Sequence, residues 1–312
     1  MIRVVAPSRL HFGLFRVPHA GEAPSAARAF GGVGLMVEHP GLAVTVRPAD
    51  SWRFEGVFAS RAQVFAMRFM QSIPEEKRRP HQVLVERGPA EHTGLGVGTQ
   101  LGLAVAKALA VANGVVELSS AVLAARVGRG ERSAIGVHGF DRGGLLVDAG
   151  KEPGEDVSPL LAHVTLPDAW RVVLFTPPVA GHWHGPHERQ AFATAAAGEP
   201  EALRRLAETV IVPAARRGDL DAFGSAVYEF NRKAGEPFRA AQGGEYASPE
   251  IAALIDDVRA CGVRGVGQSS WGPTVFAVAP DSDTALSLVQ QFRARVPCFA
   301  TRASAGHRAE TA

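Results

Sequence analysis

Short apolar runs rich in β-branched residues alternate with helical patterns along the first half of the chain. Such runs predict strands, and the small-residue stretch that ends before Gly114 predicts a helix with a glycine after its last turn. The predicted strands are Ile2–Val5, Leu42–Arg47, Val83–Glu86 and Leu145–Val147, and the predicted helices are Gln63–Ser72, Thr99–Asn113 and a segment from Ser119 or Ser120 to Val127.

The second half has a different order of elements. Ser248, Pro249 and Glu250 form a strong helix start, with a capping serine, a proline in the first turn and then an acid. Strands are predicted at Trp170–Phe175, Val263–Val266, Thr274–Ala279 and Cys298–Ala303, and helices at Glu201–Val212, from Asp219 or Asp221 to Lys233, from Pro249 to the glycine at 262, and at Ser282–Arg295. This order is that of a ferredoxin-like split βαβ unit.

These patterns predict an α+β protein with two domains, residues 1–160 and 161–312. A β-rich first domain is followed by a ferredoxin-like second domain, and the polar, Pro- and Gly-containing stretch after Asp148 supplies the boundary. The last eight residues, AGHRAETA, are expected to form a solvated tail.

Composition excludes several classes of protein. The 33 Lys and Arg residues nearly balance the 31 Asp and Glu residues, so bulk charge gives no sign of a nucleic-acid partner. Two cysteines, Cys261 and Cys298, exclude a disulfide scaffold and favour reduced thiols. The most apolar window, Leu101–Val116, is too short for a membrane span, and the first residues lack a signal peptide. We therefore expect a cytoplasmic protein.

A glycine-rich loop is the strongest chemical signal in the sequence. Gly94, Gly96 and Gly98 occupy alternate positions and lead directly into the predicted helix. Backbone N–H groups can converge in such a loop, and the start of the helix adds unpaired donors and partial positive charge. The pattern predicts a phosphate or pyrophosphate site, although an ordinary flexible turn has the same composition. It is not a Walker A motif.

Three ordered segments together resemble the motifs of the GHMP kinase superfamily. They are APSRLHF at 6–12, GLGVGTQ at 94–100 and GQSSWGPTV at 267–275. The resemblance implies a GHMP-kinase-like fold, with the phosphate loop in the β-rich N-terminal domain and a ferredoxin-like C-terminal domain.

Details depart from the kinases and resemble the β-ribofuranosylaminobenzene 5′-phosphate synthases. His11 stands where kinases commonly have Asn, and Gly96-Val97-Gly98 replaces the usual Gly-Ser-Ser. The segments SRLHFGL, GGVG at 31–34, Gly128-Arg129-Gly130 and SSWGPTV fit that branch. Two positions differ from it: ERSA at 131–134 replaces an expected Gly-Thr-Ser-Gly, and Asp141 replaces a glutamate.

The resemblance implies a decarboxylating pentosyl transfer. Phosphoribosyl pyrophosphate would join 4-aminobenzoate, or 4-hydroxybenzoate, as pyrophosphate and carbon dioxide leave and a carbon–carbon glycoside forms. Loss of carbon dioxide restores aromaticity, so no strong base is needed, and positioning and charge stabilisation would suffice. Magnesium is expected on the pyrophosphate, held by substrate oxygens, waters and one or two carboxylates.

Site residues follow from the matched motifs. The resemblance implies catalytic roles for Arg9, His11 and Asp141, and magnesium ligation by Asp141 and Glu131. The residues expected to bind phosphate are Gly94, Gly96, Gly98, Thr99, Gln100, Ser269, Ser270 and Gly272. Arg9 suits a planar carboxylate or a phosphate because it donates bidentately, although a surface ion pair is an equal alternative.

Some features stay open at the level of sequence. His182, His184 and His187 form an HxHxxH cluster that fits a polar loop better than a metal site. Trp271, inside the third motif, is a candidate for stacking on an aromatic substrate. Two other functions remain alternatives: an ATP-dependent small-molecule kinase and a non-catalytic phosphometabolite-binding protein. Neither a nucleic acid nor a membrane is an expected partner, and a homodimer is as open as a monomer.

Overall fold

The structure is a computed structural model that describes residues 1–18, 28–115, 118–178 and 185–311. The first part of the chain contains β1 (Ile2–Leu14), β2 (Gly32–Pro48), β3 (Arg53–Gly56), α1 (Ala59–Gln71), a 3₁₀ turn (Glu75–Lys77), β4 (His81–Arg87), α2 (Val97–Ala112), α3 (Ser120–Val127), α4 (Ile135–Arg142), β5 (Leu145–Asp148) and β6 (Leu160–Val164).

The second part contains β7 (Arg171–Phe175), α5 (Pro186–Ala193), α6 (Pro200–Leu206), a π-helical turn (Ala207–Ile211), α7 (Val212–Arg217), α8 (Leu220–Gly235), a 3₁₀ turn (Glu236–Phe238), α9 (Arg239–Gln242), α10 (Pro249–Ala260), β8 (Val266–Gln268), β9 (Val275–Ala279), α11 (Ser282–Phe292), β10 (Cys298–Thr301) and β11 (Arg308–Thr311).

The first sheet has the order β11-β1-β2-β4-β3. In addition, β5 pairs with the first residues of β2, and β6 pairs with β5. All its pairs are antiparallel except β3 with β4. α2 packs on β1 and β2 and is buried along almost its whole length, because Ala, Val, Leu and Gly occupy nearly every position. This helix therefore fixes where the glycine-rich loop meets the sheet.

The second sheet is antiparallel, with the order β10-β7-β9-β8. Numbered by their place along the chain, its strands lie in the order 4-1-3-2, which is the ferredoxin-like arrangement that the sequence predicts. The predicted helix caps are also present: Ser119, Asp219 and Ser248 each accept a hydrogen bond from a first-turn amide of α3, α8 and α10.

Two features differ from the prediction. β6 pairs with β5 across the predicted boundary at residue 160, so the first sheet extends to Val164. The expected solvated tail instead forms β11, which pairs with β1 from Ile2 to Val5. The first sheet therefore contains both ends of the described chain, because the free edge of β1 offers unpaired backbone groups.

Between residues 128 and 144 the sequence predicts only a glycine cluster, yet the structure places α4 there. Asp148 is completely buried and accepts hydrogen bonds from the Ala134 amide and the Ser133 hydroxyl at the start of this helix. A tertiary contact therefore supplies the helix start that the local sequence lacks.

Candidate functional site

A cavity of about 470 Å³ opens between the two sheets. Its walls come from β1, the glycine-rich loop at 92–99, the segment 128–133, α5, α8 and the third motif at 268–272. All three motifs that the sequence analysis singled out therefore contribute to one cleft.

The glycine-rich loop needs unusual backbone geometry at two of its three glycines. Gly94 has φ of 79° and Gly96 has φ of 72°, a region that residues with a Cβ rarely adopt. Gly96 is the N-cap of α2, and no side chain caps that helix. A Cβ on Gly94 would collide with the backbone oxygen of Ser269, so this glycine lets the loop meet the third motif. Gly98 lies in the first turn with ordinary helical backbone.

Arg9 points from β1 at the start of α2. Its Nε is buried without a hydrogen-bond partner, and its Nη2 is 3.4 Å from the Gly94 oxygen. Burial, and then the neighbouring charge of Arg129, lowers the pKa of Arg9 to about 10. The guanidinium is still charged at neutral pH. The charge of Glu188 offsets these effects only in part, so an anion in the cleft would supply further compensation.

Arg129 and Arg61 were not predicted as site residues, yet both line the cleft. Arg129 Nη2 donates to Thr99 Oγ1 at 3.4 Å, and its Nε is buried without a partner. Burial and the charge of Arg61 lower the pKa of Arg129. The glycines on either side of Arg129 were a visible signal, whereas Arg61 lies within α1 and had none.

His11 lies two residues beyond Arg9 on β1 and also lines the cleft. It is 5% exposed, and its Nε2 has no hydrogen-bond partner. Burial, and then the charge of Arg9, lowers the pKa of His11 well below 6.5. The imidazole is therefore neutral at neutral pH and can donate or accept one hydrogen bond at Nε2.

The third motif contributes in two ways. Ser270 and Gly272, which are predicted to bind phosphate, line the cleft, and the Ser270 amide donates to the His11 oxygen. Ser269 is fully buried behind the wall, where its hydroxyl donates to the Gly94 oxygen at 2.8 Å and accepts from the His11 amide at 3.1 Å. The prediction that Ser269 binds phosphate is therefore corrected: it ties the glycine-rich loop to β1.

Gln100 is also displaced from the predicted role. It is 1% exposed, and its Nε2 donates to the Gly136 oxygen in α4 at 2.7 Å. The side chain is one helical position past Thr99 and points toward α4 instead of the cleft. Gln100 therefore connects two helices, whereas Thr99 lines the cleft.

Asp141 lies outside the cleft, and its predicted catalytic and magnesium roles are corrected. One carboxylate oxygen accepts from the Ser120 amide at 2.9 Å, and the other is 3.6 Å from Nδ1 of His307. The carboxylate thus sits at the start of α3, where helix donors and the helix dipole attract an anion.

Glu131 does line the cleft, within the segment that also carries Arg129 and Arg132. Glu188 lines it too, but it is paired with Arg132 at 2.6 Å. In the parts of the chain that the structure describes, no three His, Cys, Asp or Glu residues are grouped as a metal cage.

An aromatic cluster forms another part of the cleft wall. Trp271 meets Phe238 at a centroid distance of 4.6 Å and Phe192 at 5.7 Å, both edge to face. All three residues line the cavity. The cleft thus combines a cationic region around the glycine-rich loop with an aromatic region around Trp271.

Asn231 connects the two domains at the base of the cleft, and nothing in the sequence indicated it. Its Nδ2 donates to the oxygens of Phe12, at 2.6 Å, and Gln268, at 2.9 Å, and its Oδ1 accepts from the Gln268 amide.

Of the histidine cluster, His182 and His184 lie outside the described residues, and His187 is exposed at the start of α5. Over the described residues, no helix is both long and apolar enough to cross a bilayer.

Known proteins resemble this chain along most of its length. A family profile described as "GHMP kinases C terminal" matches residues 211–298. Two curated proteins named beta-ribofuranosylphenol 5′-phosphate synthase are similar to it. The one from Methanothermobacter thermautotrophicus is 31% identical over 301 residues, or 88% of each chain. The one from Archaeoglobus fulgidus is 30% identical over 295 residues, 89% of this chain and 88% of the relative.

A solved structure supports the same fold. The homoserine kinase from Cytophaga hutchinsonii superposes with a TM-score of 0.71 and 15% identity, over 99% of this chain and 97% of the kinase. At that identity the likeness shows the fold alone, whereas the curated relatives show the enzyme family. The chain therefore belongs to the beta-ribofuranosylphenol 5′-phosphate synthase family, pentosyltransferase-type enzymes built on the GHMP kinase fold.

Proposed function

We propose that this enzyme joins phosphoribosyl pyrophosphate to a para-substituted benzoate and releases pyrophosphate and carbon dioxide. The observation that carries the proposal is the pair of guanidinium groups of Arg9 and Arg129, whose buried Nε atoms have no partner beside the start of α2. A substrate with two phosphorylated ends supplies the negative charge that this region lacks.

The choice of benzoate is supported by the chemistry of the product. Loss of carbon dioxide from 4-hydroxybenzoate leaves a phenol, whereas loss from 4-aminobenzoate leaves an aniline. The curated relatives are named for a ribofuranosylphenol phosphate. We therefore place 4-hydroxybenzoate first and 4-aminobenzoate second, which reverses the order expected from the sequence.

In the proposed reaction the bond from the anomeric carbon to pyrophosphate breaks, and the electron pair leaves with pyrophosphate. The ring carbon that bears the carboxylate attacks the anomeric carbon, helped by electron donation from the para substituent. The carbon–carboxylate bond then breaks, its electron pair returns to the ring, and carbon dioxide leaves. No proton has to be removed from the ring carbon, so a cleft without an acid–base pair is sufficient.

The described side chains support this division of labour. Arg9 and the start of α2 stabilise the negative charge that develops on pyrophosphate as it departs. The aromatic cluster of Trp271, Phe238 and Phe192 offers an apolar wall for the benzoate ring. Neutral His11, close to both regions, holds an oxygen of either substrate by a hydrogen bond without adding charge.

Magnesium is part of the proposal as a partner of the pyrophosphate. Glu131 is the carboxylate of the cleft that would meet it, because Glu188 is paired with Arg132 and Glu245 with Arg232. The cation would supply positive charge to the leaving group and keep most of its waters, as magnesium commonly does. The cytoplasmic location and the possible homodimer remain predictions.

The test follows both products of the reaction. Purified protein with phosphoribosyl pyrophosphate, magnesium and carboxyl-labelled 4-hydroxybenzoate or 4-aminobenzoate should release labelled carbon dioxide and pyrophosphate in equal amounts without ATP. Replacing phosphoribosyl pyrophosphate by ribose 5-phosphate should abolish the release, because that sugar lacks the leaving group. If neither benzoate reacts while ATP is hydrolysed, the kinase alternative replaces this proposal. Phosphometabolite binding with no turnover of any kind supports the non-catalytic alternative.

A further inference from the structure

The glycines at 96 and 98 face different arginines. A Cβ on Gly96 would lie 3.0 Å from Cβ and 3.2 Å from Nε of Arg9. A Cβ on Gly98 would lie 2.6 Å from Nη2 of Arg61 and 3.1 Å from Nη2 of Arg129. The two glycines are therefore flanked by different arginines, Gly96 by Arg9 and Gly98 by Arg61 and Arg129.

The Arg9 side is joined to the aromatic part of the cleft. Arg9 and His11 are two residues apart on β1 and so share one face of the strand. The backbone of His11 is bonded to Ser269 and Ser270, the residues directly before Trp271. This side of the loop therefore lies next to the wall assigned to the benzoate ring.

The Arg129 side continues toward solvent. Arg129 donates to Thr99 and adjoins Arg61, whose side chain is 39% exposed and paired with Glu91. None of the described carboxylates forms an ion pair within 4.0 Å of either Arg9 or Arg129. The region thus concentrates positive charge in two places, an inner one at Arg9 and an outer one at Arg129.

We propose that Arg129, with Thr99 and Arg61, forms a separate subsite for the 5′-phosphate, while Arg9 and Gly96 face the pyrophosphate. The assignment rests on the proposed function. The bond that breaks is at the anomeric carbon, which has to lie beside the benzoate ring. The pyrophosphate therefore takes the inner side, and the phosphate at the other end of the ribose takes the outer side.

Two simple ligands separate the subsites experimentally. Ribose 5-phosphate carries only the phosphate monoester, and inorganic pyrophosphate carries only the leaving group. Each is titrated calorimetrically, at one fixed magnesium concentration, into wild type, Arg129→Gln and Arg9→Gln. Arg126→Gln is the matched control, because it removes one positive charge from α3, close in sequence to Arg129 but outside the cleft. Thermal unfolding of each variant verifies that it is folded.

The expected result is a crossed pattern. Arg129→Gln weakens the binding of ribose 5-phosphate at least 10-fold and the binding of pyrophosphate no more than about 2-fold. Arg9→Gln has the reverse effect on the two ligands. Arg126→Gln changes neither ligand by more than about 2-fold. Folding of Arg129→Gln is expected to survive, since the change removes a charge that faces Arg61 and Arg9.

Other patterns overturn the assignment. Equal losses for both ligands in each variant mean one shared anion site, and a reversed pattern means that the substrate binds the other way round. If Arg129→Gln binds both ligands as tightly as wild type does, Arg129 is not part of the site. Each of these can occur while wild type still releases carbon dioxide from phosphoribosyl pyrophosphate, so the proposed function would stand. Wild type that binds neither ligand and shows no turnover contradicts the proposed function as well.

Discussion

Gly96 illustrates how one residue serves both backbone geometry and ligand access. Its φ of 72° disfavours any side chain, and a Cβ there would crowd Arg9. Gly114 is a matched comparison, because it has φ of 61° but nothing within 4 Å of the point where a Cβ would lie. The two glycines share a left-handed backbone, which a residue with a Cβ would adopt only with strain, and they differ in what surrounds them.

Alanine at these two positions should therefore separate folding from binding. Gly96→Ala and Gly114→Ala are each expected to lower the free energy of unfolding by about 1–2 kcal/mol, the cost of left-handed backbone for an L-residue. Only Gly96→Ala should weaken pyrophosphate binding, by at least 10-fold, in a calorimetric titration. Pyrophosphate affinity that is equal in the two variants would show that the loop is only a turn.

His11 makes the stability of the protein depend on pH. The unfolded chain binds a proton at this residue near pH 6.5, whereas burial keeps the folded residue neutral at that pH. The unfolded state then binds more protons, so stability falls as the pH drops below about 6.5, by up to about 1.4 kcal/mol per pH unit for one histidine. Burial lowers the pKa of His81 and His307 as well, which adds to the slope with the same sign.

His11→Asn should make the free energy of unfolding less dependent on pH, by the equivalent of up to one bound proton. The measurement is denaturant unfolding of the variant and of wild type between pH 5 and pH 7.5. His187→Asn, at an exposed position on α5, is the control for the same change of side chain outside the protein interior. Identical slopes for wild type and His11→Asn would contradict a neutral, buried imidazole.

At the scale of elements, Asp141, which the sequence predicts to be catalytic, lies at the start of a helix and is bound there. Asp141, at the end of α4, accepts from the Ser120 amide in the first turn of α3. It therefore connects two helices on the side of the domain away from the cleft. The direction of its side chain depends on how α3 packs against α4, which the sequence does not show.

Asp141→Asn and Glu131→Gln should consequently behave differently. We expect Asp141→Asn to cost no more than about 1 kcal/mol of stability, the value of a charge at a helix start, and to leave the magnesium dependence of turnover unchanged. Glu131→Gln should raise the magnesium concentration needed for half-maximal turnover. The assignment fails if Asp141→Asn shifts the magnesium titration and Glu131→Gln does not.

Pro213 shows an element that the sequence predicts in outline only. The sequence predicts a helix over Glu201–Val212, directly before this proline, and the structure has α6, a π-helical turn and α7 in succession. Proline removes an N–H from the helical ladder, so some local change of hydrogen bonding is expected. That the change is a π turn depends on the packing of this segment against α8.

At the scale of the whole molecule, the two domains share one apolar core cluster, and buried polar contacts join them at the base of the cleft. Ser269 binds both Gly94 and the backbone of His11, and Asn231 binds Phe12 and Gln268. Buried polar groups that lose their partners cost about 1–3 kcal/mol each. These contacts therefore fix how the third motif meets the glycine-rich loop.

Ser269→Ala should loosen that junction. We expect a loss of about 1–3 kcal/mol in stability and faster amide hydrogen exchange in residues 91–98. Ser304→Ala is the matched control, since Ser304 is also buried but its two hydroxyl contacts are both to Gly306 in its own loop. Unchanged exchange of the 91–98 amides in Ser269→Ala would mean that this hydroxyl does not hold the loop.

Local signals in the sequence were sufficient to predict the α+β class, the ferredoxin-like order of the second domain and the loop around Gly96. These signals are apolar periodicity, capping residues and glycines at positions that need their backbone freedom. The family was indicated by the resemblance of three ordered motifs to known ones. Arg9, His11, Ser270 and Gly272 line the cleft, and their catalytic and phosphate-binding roles stay predictions.

Which polar side chains face the cleft depends on the tertiary structure. Asp141, Gln100 and Ser269 lie in or near the motifs yet point into helix and loop contacts, whereas Arg61 and Arg129 converge on α2 from separate elements. The return of β11 to β1 was likewise undetectable, since a short polar strand forms only where an open edge accepts it. The direction of a side chain and the pairing of distant segments depend on neighbours far along the chain, which local patterns do not encode.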